Sequence, residues 1–308
     1  MSTESLPCTD VNIPTTTTKP CSNRTQPKTS ITHPINISWM IPLEALTYLS
    51  ISPLPPNLDL NDLASFPSLV IEPTEPTAIW GNMALSSCPG KKVRLSGPVR
   101  GRAAINRDLD LDFERMASFN ITAIVCCLDD NELDFLGASW PDYIQAAKTH
   151  HLEVIRLPMA EGGCPSTLQE VHEAIQCINK NIQHGQNVLA HCRGGVGRAG
   201  LFACCWLLEN RLCLTAERAI LYVRTRRSAK AIETMRQAEF IIHYARFVNQ
   251  RAYQLPTTNL PLQMTHTEHT LSVPSLTDIA NLERQIYENE RLLLQTTYPI
   301  QLIQPNSE

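Results

Sequence analysis

The 308-residue chain is 43% hydrophobic, enough for one sizeable domain with tails or for two small ones. Its formal charge of -4 and pI near 6.1 exclude a generally basic nucleic-acid binder. The eleven cysteines are odd in number, with adjacent pairs at Cys126-Cys127 and Cys204-Cys205 in apolar runs and no spacing of a disulfide frame or zinc site, so a reducing compartment is expected. The start MSTESLPCTD lacks a signal pattern, and the longest uncharged apolar run, Leu201 to Leu208, is too short for a membrane span; the expected location is the cytoplasm, the nucleus or both.

Residues 1–33 are rich in Thr, Ser, Pro and Asn with almost no large apolar side chain, which predicts a disordered tail. From Pro34 the alternation of Ile35, Ile37, Trp39 and Ile41 predicts a strand that opens a domain spanning 34–253. Repeated prolines within 52–76 predict an extended surface insertion. Thr77 to Met83 fits a strand, and the run after it collects Lys91, Lys92, Arg94, Arg100 and Arg102, either a solvated face or a basic rim for an anionic ligand. Asp108 to Ser118 fits a helix, and the β-branched run Ile121 to Cys127 fits a buried strand. Pro141, ahead of Tyr143, Ile144, Ala146 and Ala147, starts a further helix.

Glu153 to Leu157 is the next strand and runs into the loop PMAEGGCPST. Ser166 with Gln169 reads as a capping box for a helix whose Leu168, Val171, Ile175, Ile178 and Ile182 follow helical spacing. Thr215 to Arg224 and Met235 to Val248 are two later helices. The basic group between them, Arg224, Arg226, Arg227 and Lys230, either flanks a pocket or is solvated. In the C-terminal tail, 254–308, Ser275 to Gln295 places Ile279, Leu282, Ile286 and Leu293 on one helical stripe, suited to folding back or to docking a partner. Strands alternating with helices predict an α/β sandwich, a mostly parallel sheet flanked by helices with its site at the strand carboxyl ends.

The most informative stretch is Val188 to Gly200, VLAHCRGGVGRAG. An apolar strand delivers His191 and Cys192 into a glycine loop, and the apolar run Ala199 to Leu208 follows as a buried helix. Gly194, Gly195 and Gly197 let backbone N–H groups converge, and the helix N-terminus adds unpaired donors, so the concavity suits a dianion and favours a Cys192 thiolate. Arg198, separated from Cys192 by the five loop residues, returns its guanidinium fork over the sulfur. Thiolate, amide cradle and fork together describe phosphoryl transfer to cysteine.

This segment resembles the HCxxGxxR signature of the cysteine-dependent tyrosine and dual-specificity phosphatases. The wider chain, through PINISW, SSCPG, AEGGCP and AIETMRQ, is similar to their cyclin-dependent-kinase-associated branch. The resemblance implies a tyrosine-phosphatase-like fold and hydrolysis of phosphotyrosine, phosphoserine or phosphothreonine through a phosphocysteine. It implies no cofactor or metal, and a phosphoprotein substrate that in this branch is a cyclin-dependent kinase. Cys192 becomes the nucleophile, Arg198 the phosphoryl clamp, and Arg193, Gly194, Gly195, Val196 and Gly197 the phosphate loop, ordered from behind by His191.

Glu161 takes the place of the general acid, where the family usually has Asp. Trp140-Pro141-Asp142 looks like the family's acid loop but lies too far before Cys192. Ala199 stands where a hydroxyl residue usually assists breakdown of the intermediate, and Glu233 and Gln237 stand where tyrosine phosphatases place glutamines. Cys127, ending the strand expected beside Cys192, is a candidate redox partner for it, or a core thiol. Two other functions are weighed: a phosphoinositide phosphatase, disfavoured because Arg193 is the only cation inside the loop besides the clamp, and a module that binds phosphoresidues or a kinase with little turnover.

Overall fold

The computed structural model describes residues 26–65, 80–97, 99 and 101–254. Its elements in chain order begin with Lys28–Thr29 (β1), Ser38–Trp39 (β2), Leu43–Ile51 (α1), a short 3-10 helix at Leu60–Ser65, Met83–Ser87 (β3), Lys92–Val93 (β4), Ile105–Asn106 (β5) and Leu109–Ser118 (α2). They continue with Ile121–Cys126 (β6), Asp130–Phe135 (α3), Trp140–Thr149 (α4), Glu153–Arg156 (β7), Leu168–Gln183 (α5), Asn187–Cys192 (β8), Arg198–Glu209 (α6), Ala216–Arg226 (α7) and Met235–Gln254 (α8).

The central sheet has the order β2-β3-β8-β6-β7, parallel except where β2 meets β3. β8 lies in its middle, so its apolar residues Val188, Leu189 and Ala190 are fully buried, as are Ala123, Ile124 and Val125 of β6 beside it. Helices α2 and α4 pack on β6 and β7, while α5 and α6 pack on β8 and its neighbours. α6 is buried along almost its whole length, from Arg198 to Leu208, and carries α7 and α8 on its far side. The mostly parallel sandwich expected from the alternation is therefore what the chain forms. Among the described residues no helix is long and apolar enough to cross a membrane.

Several local expectations change. Residues 28–33, read as disordered tail, are ordered: β1 pairs with β5, and Ser30 Oγ donates to Asp112 Oδ1 at 2.8 Å. Asp112 in turn forms a buried pair with Arg107 at 2.6 Å, and Arg107 Nη1 reaches the His33 carbonyl. Polar bonds hold this segment, while Ile31 stays exposed, so its apolar content is no guide to its order. Only Ser38 and Trp39 of the expected strand at 35–41 pair, because Pro42 precedes α1, which the sequence reading missed. The strand expected at 77–83 is Met83–Ser87, and the cap of α5 is Thr167, whose Oγ1 accepts from Glu170 N, rather than Ser166.

Within the described part of the proline-rich insertion, residues 59–65 depart from the expected extended surface loop. Asp59 and Leu60 are buried, and the Asp59 carboxylate accepts from the Arg218 guanidinium, from Leu214 N at 3.0 Å and from Asn61 N at 2.8 Å. Burial opposes ionisation of Asp59, but the hydrogen bonds from Arg218, Leu214 and Asn61 outweigh it and hold the carboxyl below its usual value. A depressed carboxyl stabilises the fold above its unfolded pKa and loses that contribution as pH falls through the folded value. Asp59→Ala is expected to cost about 3 kcal/mol in urea unfolding at neutral pH, with the deficit shrinking in acid. The expected disordered residues 1–25 and the stripe from Ser275 to Gln295 lie outside the described residues.

Candidate active site

β8 ends at Cys192 and α6 begins at Arg198, so the loop Arg193–Gly197 occupies the carboxyl edge of the sheet. Gly195 N donates to the buried Cys192 Sγ at 3.2 Å. The N–H groups of Arg193, Gly194, Val196 and Gly197 have no protein acceptor among the described residues, and Gly197 caps α6 without a side-chain bond. These donors and the first turn of α6 give a cradle that can receive an anion. The three glycines are not equivalent. Gly195 has φ +68° and sits so close to Ser86 that a Cβ would lie 2.0 Å from its carbonyl oxygen, whereas a Cβ on Gly194 would meet only Val196 at 3.8 Å. Gly197 has ordinary φ, yet a Cβ there would lie 2.1 Å from Glu233 Oε2.

Arg198 is buried in a fixed orientation. Its Nη1 donates to Glu132 Oε2 at 2.5 Å and to Met159 O at 2.8 Å, and its Nη2 donates to Glu132 Oε1 at 2.7 Å. The remaining edge, Nε–H with the second Nη2 hydrogen, has no protein partner among the described residues and matches two oxygens of a phosphoryl group. Burial works against the guanidinium charge, but the Glu132 bonds overcome it and keep Arg198 firmly protonated. Glu132, on α3, is absent from the sequence reading. Only the acidic run at 129–134 signals it, and Asp129 is spent on capping α3.

His191 lies behind the loop, fully buried, with Nε2 2.7 Å from the Tyr143 hydroxyl of α4. Burial drives the ring pKa down to about 3, so the imidazole is neutral. That contact also settles Trp140-Pro141-Asp142: Ser139 caps the helix, Pro141 lies in its first turn, and the segment serves the core.

Glu161 stands in the turn after β7, its carboxylate 3.2 Å from Arg193 Nη1. Both side chains are open, 69% and 42% exposed, and such pairs hold their partners weakly. The turn is braced from α8 and the residue before it: Thr234 Oγ1 donates to Gly162 O at 2.8 Å and Gln237 Nε2 to Gly163 O at 3.1 Å. Gln237 is fully buried and also accepts from Glu233 N, so Gln237 supports the turn while Glu233 sits against Gly197. Ala199 is buried in the first turn of α6, with no hydroxyl to offer. Cys127 follows the β6 residue that pairs with His191, its N–H bonded to the His191 carbonyl at 3.0 Å, and burial pushes its thiol well up. A second buried thiol, Cys88, follows Ser87, which pairs directly with Cys192; the misplaced strand hid it from the sequence reading.

The profile of the dual specificity phosphatase catalytic domain matches residues 110–247. Human cyclin-dependent kinase inhibitor 3 is 30% identical over 166 residues, an alignment covering 52% of this chain and 69% of that protein. The chain belongs to the dual-specificity phosphatases. A crystal structure of kinase associated phosphatase, its catalytic-site cysteine replaced by serine, has the same fold with a TM-score of 0.51 at 20% identity, covering 70% of this chain and 96% of that one. The Arabidopsis thaliana protein named phosphatidylinositol 3,4,5-trisphosphate 3-phosphatase and protein-tyrosine-phosphatase PTEN2B is 31% identical over 110 residues, which cover 34% of this chain but 17% of that protein. As a member of the dual-specificity family, the chain is a cysteine-dependent protein phosphatase, and the phosphoinositide alternative fits these likenesses less well.

Proposed function

We propose that Cys192 attacks the phosphorus of a phosphoprotein side chain, forming a phosphocysteine that water then hydrolyses. The observation that carries this is a buried sulfur accepting from Gly195 N, under unpartnered loop N–H groups and beside the open edge of Arg198. In this scheme the cradle and Arg198 bind the non-bridging oxygens, which gain charge density in the transition state. Glu161, released from Arg193, protonates the departing oxygen. Its extra methylene relative to Asp alters reach, and Ala199 leaves the thiolate without a hydroxyl donor when the intermediate breaks down.

Glu161→Gln is the test of the acid. With a phosphotyrosine peptide, kcat is expected to fall about 100-fold, and the loss of rate at higher pH expected of the parent should disappear. With para-nitrophenyl phosphate in EDTA the effect should be slight, because that leaving group departs without a proton. An unchanged pH profile on the peptide would remove Glu161 from the mechanism.

The proposed protein target is a cyclin-dependent kinase, supported by likeness to a protein named as an inhibitor of such a kinase. A reducing intracellular compartment, cytoplasm or nucleus, is supported by the nine described cysteines, all free thiols. We also propose that Cys127 shields Cys192 from overoxidation: peroxide converts the thiolate to a sulfenic acid, and the Cys127 thiol displaces water to form a disulfide. Peptide mapping after peroxide treatment should find the Cys127–Cys192 link. Sulfinic acid at Cys192, or a bond to Cys88 instead, would exclude the role.

A further inference from the structure

The two basic runs left open by the sequence each send one residue to the phosphate loop. Lys91 Nζ donates to the Arg193 carbonyl at 2.9 Å. Arg227, just past the end of α7, donates through Nε to the Gly195 carbonyl at 2.8 Å and through Nη2 to the Gly194 carbonyl at 3.0 Å, while its Nη1 is fixed on Ser38 Oγ at 2.9 Å. Three successive carbonyls of the loop are thus engaged by two half-buried cations from distant parts of the chain. Each peptide unit has its carbonyl opposite its N–H, so engaging the carbonyls of residues 193, 194 and 195 fixes the next N–H groups, those of Gly194, Gly195 and Val196. One of these binds the Cys192 sulfur, and the other two belong to the cradle.

We propose that Lys91 and Arg227 are positioning residues of the phosphatase reaction, a clamp that holds the loop carbonyls turned away so that the N–H groups stay aimed at the phosphoryl oxygens. Neither residue touches substrate in this role, and neither is a solvated face or a docking rim. The inference rests on the assignment of the loop as the phosphoryl site.

The experiment measures para-nitrophenyl phosphate hydrolysis and competitive inhibition by tungstate, a phosphoryl-like oxyanion, in the full chain and in Arg227→Met, Lys91→Met and Lys91→Arg. Arg227→Met is expected to lower kcat/KM roughly a hundredfold and to weaken tungstate inhibition in step, because displaced donors serve neither anion. Lys91→Met should show the smaller loss of both, about tenfold, and Lys91→Arg should recover most of it by donating to the same carbonyl. If Arg227→Met does not fold, the two Lys91 variants decide. Folded methionine variants that keep kcat/KM and the tungstate constant within about threefold of the parent would overturn the clamp. A parent that neither hydrolyses nor is inhibited would overturn the underlying site assignment instead, so the two failures are distinguishable.

Discussion

Cys192→Ser is expected to abolish turnover, by at least ~10⁴-fold in kcat, while oxyanion binding persists. The substitution keeps the size and the strand-to-loop position but replaces an ionisable thiol by a hydroxyl that nothing in the site deprotonates. His191, the preceding residue, is neutral, but it lies behind the loop and its Nε2 is engaged by Tyr143. Gly195 N, the other loop donors and the Arg198 edge are unaffected, so a phosphopeptide should still bind with an affinity close to the parent KM. Calorimetric titration beside steady-state kinetics checks both halves. Residual turnover near the parent rate would mean that another group attacks phosphorus.

The second large effect is expected from Arg198→Lys, about 10³-fold in kcat with a modest change in KM. The guanidinium is fixed by three hydrogen bonds to Glu132 and Met159, which leaves one edge of two parallel donors for the phosphoryl group. An ammonium keeps the charge but offers neither the fork nor the planar contact with Glu132, so the half-buried carboxylate is left with one donor nitrogen in place of two. The loss should therefore appear mainly in the transition state, where the equatorial oxygens spread and a matched pair of donors gains most. Steady-state kinetics on a phosphotyrosine peptide measures it, and a loss confined to KM would assign Arg198 to ground-state binding alone.

The parts of the site that were legible in the sequence are those confined to one contiguous segment. His191, Cys192, the glycines and Arg198 carry their spacing with them, and the apolar runs on either side, too uniform for a surface, place the loop between a central strand and a buried helix. What was hidden is held by residues far apart in the chain. Glu132 sits in an acidic run that looks like a solvated helix start, and its role is visible only when α3 lies beside Arg198. Lys91 and Arg227 belong to charge clusters whose other members are indistinguishable from them by type.

The same holds for the fold. The buried sheet followed from β-branched runs, but residues 28–33 and 59–62 are secured by Asp112 and by Arg218, and polar anchoring leaves no apolar period to read. Glu161 was located from resemblance and spacing; its pairing with Arg193 came only from the structure, since two exposed charges could each have met solvent.

The most direct test of the phosphocysteine mechanism is rapid acid quenching of the full chain with a phosphotyrosine peptide, followed by peptide mapping for the mass of a phosphoryl group. The predicted result is phosphate on the fragment carrying Cys192, building up in a burst before slower turnover, because Ala199 gives the departing thiolate no hydroxyl to lean on. Steady release of phosphate without a burst and without any label on Cys192 would contradict a covalent intermediate that accumulates there.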